Sequence, residues 1–536
     1  RGASVDCQCP SHDVITRVIR GTPGAGDVRD STDPSTSQAC SMRWLCLAAV
    51  AAGVVDALSG SAAKSVLAPK TAAQLDQAWW FDRWWPVGFA ATTRRDEPLH
   101  VEILGADVVV WHDGASFRAA TDRCPHRWAR LSEGRVDEAG LLECPYHGWA
   151  FEGETGACAR VPQLAAPEAC DAARSRLTVL PTEELAGMIW CWTSALAGGD
   201  AFPDAAALRR LSLADDVFAQ PGVRSIADYA RLLPMDASML VENVCDPSHL
   251  PFAHHKTISR RTAAGPLSLK LQAPGVSAAG FLADKTFPGC ETSAAGSVIY
   301  EAPALVLSQT SRPGGFRDWN VVYAVPTRPG RCRLFVRVVF EVAKLAQPQK
   351  FLFNQVLPRA PAWANHLSNH KVLEDDNIFL HHAGDAYRDA AAAAGDAGRL
   401  HPRNLTKQLY LPTAADAAVV AYRNWLDTYT DHGAVFLTPG EPPATPSREA
   451  LVDRGRSHTA DCSSCRQAQL TAAAVESRAR FAAFGALLLA VVAEDRAVRL
   501  GLVVTAAALY LARRAAERLG HELEHGSYPP PRNRPS

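Results

Sequence analysis

Short runs in which apolar and polar positions alternate fill the chain from about residue 80 to 195. HVEILGADVVVWHDG (100–114) and SFRAATDRC (116–124) are separated by Gly, Asp and Ala turns, and LLECPYHGWAFEGETGACARVP (141–162) continues the pattern. GMIWCW (187–192) reads as a closing strand. A period of two over such short runs predicts an all-β unit. WWFDRWWPVGF (79–89) carries four tryptophans and reads as core or interface. From 196 to 455 the pattern changes. AALRRLSLADD (206–216) and PAWANHLSNHKVLEDDNIFLHH (361–382) have helical periodicity, whereas SVIYEAPALVLSQ (297–309), WNVVYAVP (319–326) and CRLFVRVVFEVA (332–343) read as strands. This mixture predicts an α+β domain with an antiparallel sheet. DAAAAAG (389–395) reads as a loop or insertion, and GEPPATPSRE (440–449) as a Pro-rich linker.

Two uncharged stretches follow, FAAFGALLLAVVA (481–493) and LGLVVTAAALYLA (500–512). Each is shorter than the ~20 residues that a lone spanning helix needs. In tandem, and followed by Arg-Arg, they suggest a membrane hairpin whose flanking arginines extend each span. A soluble helical hairpin is the alternative. At the other end, MRWLCLAAVAAGVV (42–55) has the layout of a signal-peptide core, with one early positive charge and then an apolar run. Residues 1–41 have no hydrophobic period and are expected to be disordered, with Met42 a candidate start. An N-terminal helix packed on the domain is the alternative.

The 536 residues allow two or three folding units. With 55 Lys and Arg against 56 Asp and Glu, no net field attracts nucleic acid. The 14 cysteines are spread over a chain too long for a disulfide scaffold. Cys158, Cys170, Cys191, Cys245, Cys290 and Cys332 read as buried apolar thiols. Four of the others carry more information.

CPHRWARLSEGRVDEAGLLECPYHGW (124–149) places Cys124-Pro-His126 seventeen residues before Cys144-Pro-Tyr-His147. A Cys2His2 zinc site usually pairs like ligands. Here each pair mixes one thiolate with one imidazole, which suits a Rieske [2Fe–2S] centre with both cysteines on one iron and both histidines on the other. Irons that are fully ligated do not bind O2, so a second metal is implied. Non-haem Fe(II) takes two histidines and a carboxylate. ENVCDPSHLPFAHH (242–255) offers His249 and His254 on a helix that loosens at Pro251. Cys462-Ser-Ser-Cys465 lies in a polar stretch, with no second nearby pair to complete a zinc site. It reads as a thioredoxin-accessible redox pair.

CPHR, LSEGR and CPYHGWAFEG together resemble the Rieske non-haem iron oxygenases. The late C-x-x-C and apolar tail resemble the pheophorbide a oxygenase group of plastid Rieske proteins, over about residues 79–536. The resemblance implies an all-β Rieske domain (77–195), a helix-grip catalytic domain (196–455), and a C-x-x-C segment with an apolar helical hairpin (456–536), after a targeting region (1–76). It implies a [2Fe–2S] cluster on Cys124, His126, Cys144 and His147. It also implies a mononuclear iron on His249, His254 and a carboxylate from LEDDNIFLHH (373–382). Asp376 matches the family's Asp-x-x-Phe-Leu, and Asp375 is the alternative. Asp246 is implied as a bridge to a Rieske histidine of a neighbouring subunit in a head-to-tail homotrimer, with a helix N-cap as its plainer role. The implied activity is ferredoxin-dependent monooxygenation of a chlorophyll-derived tetrapyrrole, foremost macrocycle opening of pheophorbide a in chlorophyll catabolism. The implied location is a chloroplast membrane, envelope or thylakoid, reached through a transit peptide. The alternatives are a sibling hydroxylase acting on another tetrapyrrole, a phyllobilin or another small molecule, and a non-catalytic redox sensor of a plastid import complex.

Overall fold

The computed structural model describes residues 75–533, apart from 166–171, 289–294, 313–314, 397, 432, 439, 441 and 443–445. Residues 1–74 of the targeting region, Cys170, Cys290 and four residues of the Pro-rich linker lie outside the described residues.

The first unit is built from β1 (Trp84–Phe89), β2 (Leu99–Ile103), β3 (Ala106–His112), β4 (Phe117–Thr121), β5 (Arg135–Val136), β6 (Leu142–Glu143), β7 (Ala150–Phe151), β8 (Cys158–Arg160), β9 (Val179–Leu180), β10 (Thr182–Leu185) and β11 (Met188–Trp192). They form three antiparallel sheets, ordered β2-β3-β4-β9, β5-β6-β7-β8 and β1-β11-β10. Successive side chains of a strand point to opposite faces, and β3 uses both. Val108 and Val110 enter the main core, while Val109 and Trp111 enter a smaller core with Cys124 and Cys144.

The second unit is a seven-stranded antiparallel sheet. Its strands are β12 (Val223–Leu233), β13 (Ser268–Leu271), β14 (Gly280–Thr286), β15 (Ala295–Glu301), β16 (Leu305–Ser311), β17 (Arg317–Arg328) and β18 (Arg331–Glu341), in the order β12-β18-β17-β16-β15-β14-β13. The same alternation recurs in β17. Trp319, Val321, Tyr323 and Val325 join the tryptophan-rich core of β1 and β11. Val322 and Ala324 face a second core with helices α1 (Ala237–Cys245) and α3 (Ala417–Tyr429). The two units therefore share a hydrophobic core across the expected boundary at 195.

Helix α2 (Ala362–Ala393) runs beside β12. It absorbs residues 389–393, which the sequence reading assigned to a loop; alanine is the best helix former. Its buried stripe is polar: His366, His370, Glu374, Asn377 and His381, at spacings of three and four. Glu374 lies between two buried guanidinium groups. Arg231 Nη1 is 3.1 Å from its Oε1, and Arg454 donates from Nε and Nη2 at 2.7 Å each. The chain ends in a hairpin of α4 (Ser463–Val492) and α5 (Arg496–Glu524). Ala468, Ala472, Ala479, Ala486 and Ala490 form the buried seam of α4. The two apolar stretches are thus the distal halves of helices of 30 and 29 residues, and no helix among the described residues is long and apolar enough to cross a membrane.

Replacing Glu374 by Gln would leave two buried guanidinium groups facing a neutral amide. The expected loss is about 3–5 kcal/mol, measured as a lower denaturation midpoint. Lys371→Gln, which breaks a half-exposed pair with Glu522 at 4.0 Å, should change stability by less than about 1 kcal/mol.

Candidate metal centres

The Cys124–His126 loop connects β4 to β5, which lie in different sheets, whereas the Cys144–His147 loop closes the β6–β7 hairpin. They are built alike. The Cys124 amide donates to the Ala129 carbonyl at 2.9 Å, and Trp128 N donates back to the Cys124 carbonyl at 2.9 Å. The second loop repeats this with Cys144 N to Trp149 O at 2.8 Å and Gly148 N to Cys144 O at 3.1 Å. The fourth residue after each cysteine is left-handed, with φ of 61° at Trp128 and 74° at Gly148. Glycine enters that region freely, whereas tryptophan does so only under constraint. The loops bury both thiols and bring the His126 and His147 rings to a centroid distance of 4.6 Å. Trp149 stacks on His126, 4° from parallel at 4.6 Å.

Burial pushes the Cys124 thiol up to about 11, further raised by Cys144. Thiolates here need a neighbouring cation, and bound iron supplies one. These four side chains do not bring one donor atom each to within 4.8 Å of one another. One zinc ion needs such convergence, whereas a two-iron cluster spreads its ligands. The histidine edge is open: His126 is exposed, and Trp128 and Tyr146 stand beside it exposed.

The second centre forms at the end of α1. Instead of the helix loosened at Pro251 that the sequence suggested, a 3-10 turn (Pro247–His249) leads into a single helical turn (Leu250–Ala253), and His254 closes it. The Asp246 carboxylate accepts from Ser248 N at 2.8 Å, so the cap is present. His249 Nδ1 meets the Asp246 carbonyl, which leaves Nε2 with a free lone pair. His249, His254 and Asp376 offer donor atoms within 4.8 Å of one another. His254 Nε2 is 3.3 Å from Asp376 Oδ2, and its Nδ1 is 3.5 Å from Asp375 Oδ2. Asp376 therefore faces the histidine pair, while Asp375 backs the far side of one imidazole. Asp376 Oδ1 is buried with no hydrogen-bond partner among the described atoms, as are Asp375 Oδ2 and His254 Nδ1, a donor set that fits a bound cation. Burial alone would lower His254; Asp375 and Asp376 overcome it and hold the imidazole at about 9.

Of the other histidines in these motifs, His255 accepts from Arg261 N at 3.2 Å. His381 is buried against the Pro234 carbonyl at 2.8 Å, and His382 is exposed. Arg532 was not anticipated. Its Nη1 reaches the Ala253 carbonyl at 3.2 Å and Asp375 Oδ1 at 3.4 Å. It lies 157 residues beyond Asp375, and nothing in its local sequence signals the contact. Cys462 and Cys465 correct the sequence reading in two respects. They are 5% and 0% exposed rather than accessible, and His366 and His458 complete a four-residue set with them.

Two family profiles match the chain: "Rieske [2Fe-2S] domain" over residues 83–181 and "Pheophorbide a oxygenase" over residues 300–392. The second match includes the part of α2 that carries Asp376. A chloroplastic pheophorbide a oxygenase of Oryza sativa subsp. japonica is 32% identical over 424 residues, 75% of each chain. A chloroplastic flavonoid 8-hydroxylase 2 of Ocimum basilicum is 30% identical over 481 residues, 83% of this chain and 85% of the relative. Protein TIC 55 of Pisum sativum is 29% identical over 390 residues, 70% of this chain and 62% of the relative. Identity at this level over three quarters of both partners reflects common descent, and the chain belongs to the pheophorbide a oxygenase-like family of Rieske oxygenases.

Proposed function

We propose that this protein is a Rieske monooxygenase that inserts oxygen into a chlorophyll-derived tetrapyrrole, foremost pheophorbide a, using electrons from ferredoxin. The observation that carries the reading is the meeting of His249, His254 and Asp376 in a chain that also has the paired Rieske loops. Cys124, His126, Cys144 and His147 would hold the [2Fe–2S] cluster, and His249, His254 and Asp376 the mononuclear iron. When bound, these groups supply electron relay and O2 activation.

The chain's own residues prepare both places. The Asp246 carbonyl fixes the His249 tautomer, and its carboxylate holds the turn through Ser248. Asp375 and Arg532 form a charged backing behind His254, which orients a ligand imidazole. The open histidine edge of the cluster favours docking there, of ferredoxin or of a neighbouring subunit in a head-to-tail homotrimer with Asp246 as the bridge. The hairpin exposes Phe481, Phe484, Leu488, Val491, Val492, Leu500 and Val504. We infer that this end lies in a plastid membrane surface, where such an apolar face is stable; the chloroplastic relatives support the location.

A second reading has support of its own. The basil flavonoid 8-hydroxylase aligns over more of this chain than the rice relative does, so a phenolic polycycle is the rival substrate. Reduced ferredoxin, labelled O2 and each candidate substrate should be supplied in turn. A product of pheophorbide a carrying one labelled oxygen is expected. Turnover of a flavonoid with none of pheophorbide a would replace the substrate assignment.

His249→Ala and Asp376→Asn should each drop iron from about three to about two per chain, keep the cluster's visible spectrum and abolish turnover. Asp375→Asn should retain the third iron with affinity lowered by about 10–100-fold. Equal loss from both aspartate variants would overturn the choice of Asp376.

Protein stripped of the mononuclear iron should show a pH signature. The raised His254 contributes stability that is complete below its ordinary value near 6.5 and is lost as pH rises through about 9. Iron must displace that proton. Its affinity should therefore climb by about tenfold per pH unit toward 9 and then level off, measured by Fe(II) titration.

A further inference from the structure

Four side chains outside both iron centres converge at the start of the C-terminal hairpin. His366 comes from α2, His458 from the π-helical turn Gly455–Thr459, and Cys462 and Cys465 from the first turn of α4. All four are buried, and one donor atom of each lies within 4.8 Å of every other. His366 Nδ1 is 3.3 Å from Cys465 Sγ and 3.5 Å from Cys462 Sγ. His458 Nε2 is 3.3 Å from Cys465 Sγ and 3.0 Å from His366 Nδ1. A tetrahedral ion with bonds of about 2.3 Å to sulfur and 2.0–2.1 Å to nitrogen sets edges of roughly 3.6 Å for S···N and 3.3 Å for N···N. The cluster already has nearly that size.

The outer nitrogens fix what the inner ones can do. His366 Nε2 lies 3.0 Å from the Asp228 carbonyl, and His458 Nδ1 lies 2.6 Å from the Ala230 carbonyl. A carbonyl only accepts, so each outer nitrogen carries the proton and each inner nitrogen of a neutral ring presents a lone pair. Two lone pairs then face each other at 3.0 Å among two thiols, an arrangement that calls for a cation between them. A metal-ligating histidine is typically anchored by such a hydrogen bond on its other nitrogen.

We propose that His366, His458, Cys462 and Cys465 bind one zinc ion. Binding releases both thiol protons to solvent and changes no oxidation state. Two thiolates and two neutral imidazoles cancel the charge of Zn2+, so the filled site buries no net charge. Four protein ligands leave no open position, which makes the site structural rather than catalytic. It joins the backbone of β12, helix α2 and the hairpin. On α2 it lies ten residues before Asp376, about 15 Å along the helix, and so anchors the element that carries the candidate iron carboxylate. The proposal does not depend on the substrate or on the iron assignments.

Elemental analysis of the full chain, isolated with its iron, should find about one zinc per chain. Cys465→Ser and His458→Ala should each reduce zinc at least tenfold while the cluster's visible spectrum persists. Should those variants fail to fold, protein expressed with cobalt(II) in place of zinc provides the second measurement. The strong visible bands of tetrahedral thiolate-bound cobalt are expected. Wild-type protein without zinc, with Cys462 and Cys465 joined in a disulfide by mass analysis, would overturn the proposal. So would zinc content unchanged in both variants, or iron instead of zinc at the cysteines.

Discussion

Helix α2 is held to the protein by polar groups, and the catalytic half depends on how those groups are satisfied. A buried helix stripe is usually apolar. Here each of its five polar residues meets a partner: His366 the Asp228 carbonyl, His370 the Tyr229 hydroxyl at 2.6 Å, Glu374 the two arginines, Asn377 the Leu451 carbonyl and His381 the Pro234 carbonyl. Most of these partners belong to β12 or the loop after it, so the helix is registered against the strand bond by bond. Buried polar groups are costly unless paired. A shift by one residue would break the whole series, and this fixes where Asp375 and Asp376 face.

The two kinds of centre use different supports. The cysteine–histidine loops carry their own geometry: each is closed by its own backbone hydrogen bonds and a left-handed residue four places after the cysteine. The smaller core with Trp111 and Phe151 seats them. The histidine–carboxylate centre has no such local closure. Its two histidines come from a short turn after α1 and its carboxylate from the middle of α2, with Arg532 reaching in from the C-terminal end. One can be displaced as a unit, whereas the other exists only while several distant elements hold their places.

The shared core places the β1 and β11 tryptophans against the strands of the catalytic sheet. The two units are therefore one packed body joined by a common core rather than beads on a linker. The hairpin is fastened to that body at its base, by the thiol–imidazole cluster and the Arg454 contacts to Glu374 and the Glu522 carbonyl. Its apolar end is the part left free to meet another surface.

The sequence by itself determined what is local. Strands such as β2 and β18 follow from alternation, and the Rieske loops from two cysteines and two histidines lying within 26 residues, because period-two patterning and short loops are settled by near neighbours. His249 and His254 were legible for the same reason. Which of Asp375 and Asp376 faces the histidine pair is a matter of tertiary structure alone, since adjacent residues on a helix point about 100° apart and the seating of α2 turns Asp376 toward them. It also decided the state of Cys462 and Cys465. Their spacing suggested an accessible pair, but His366 lies 96 residues from Cys462, and no local pattern reports a partner brought by folding. The run at 389–393 became helix because α2 was already propagating into it, and extending a helix is far easier than starting one.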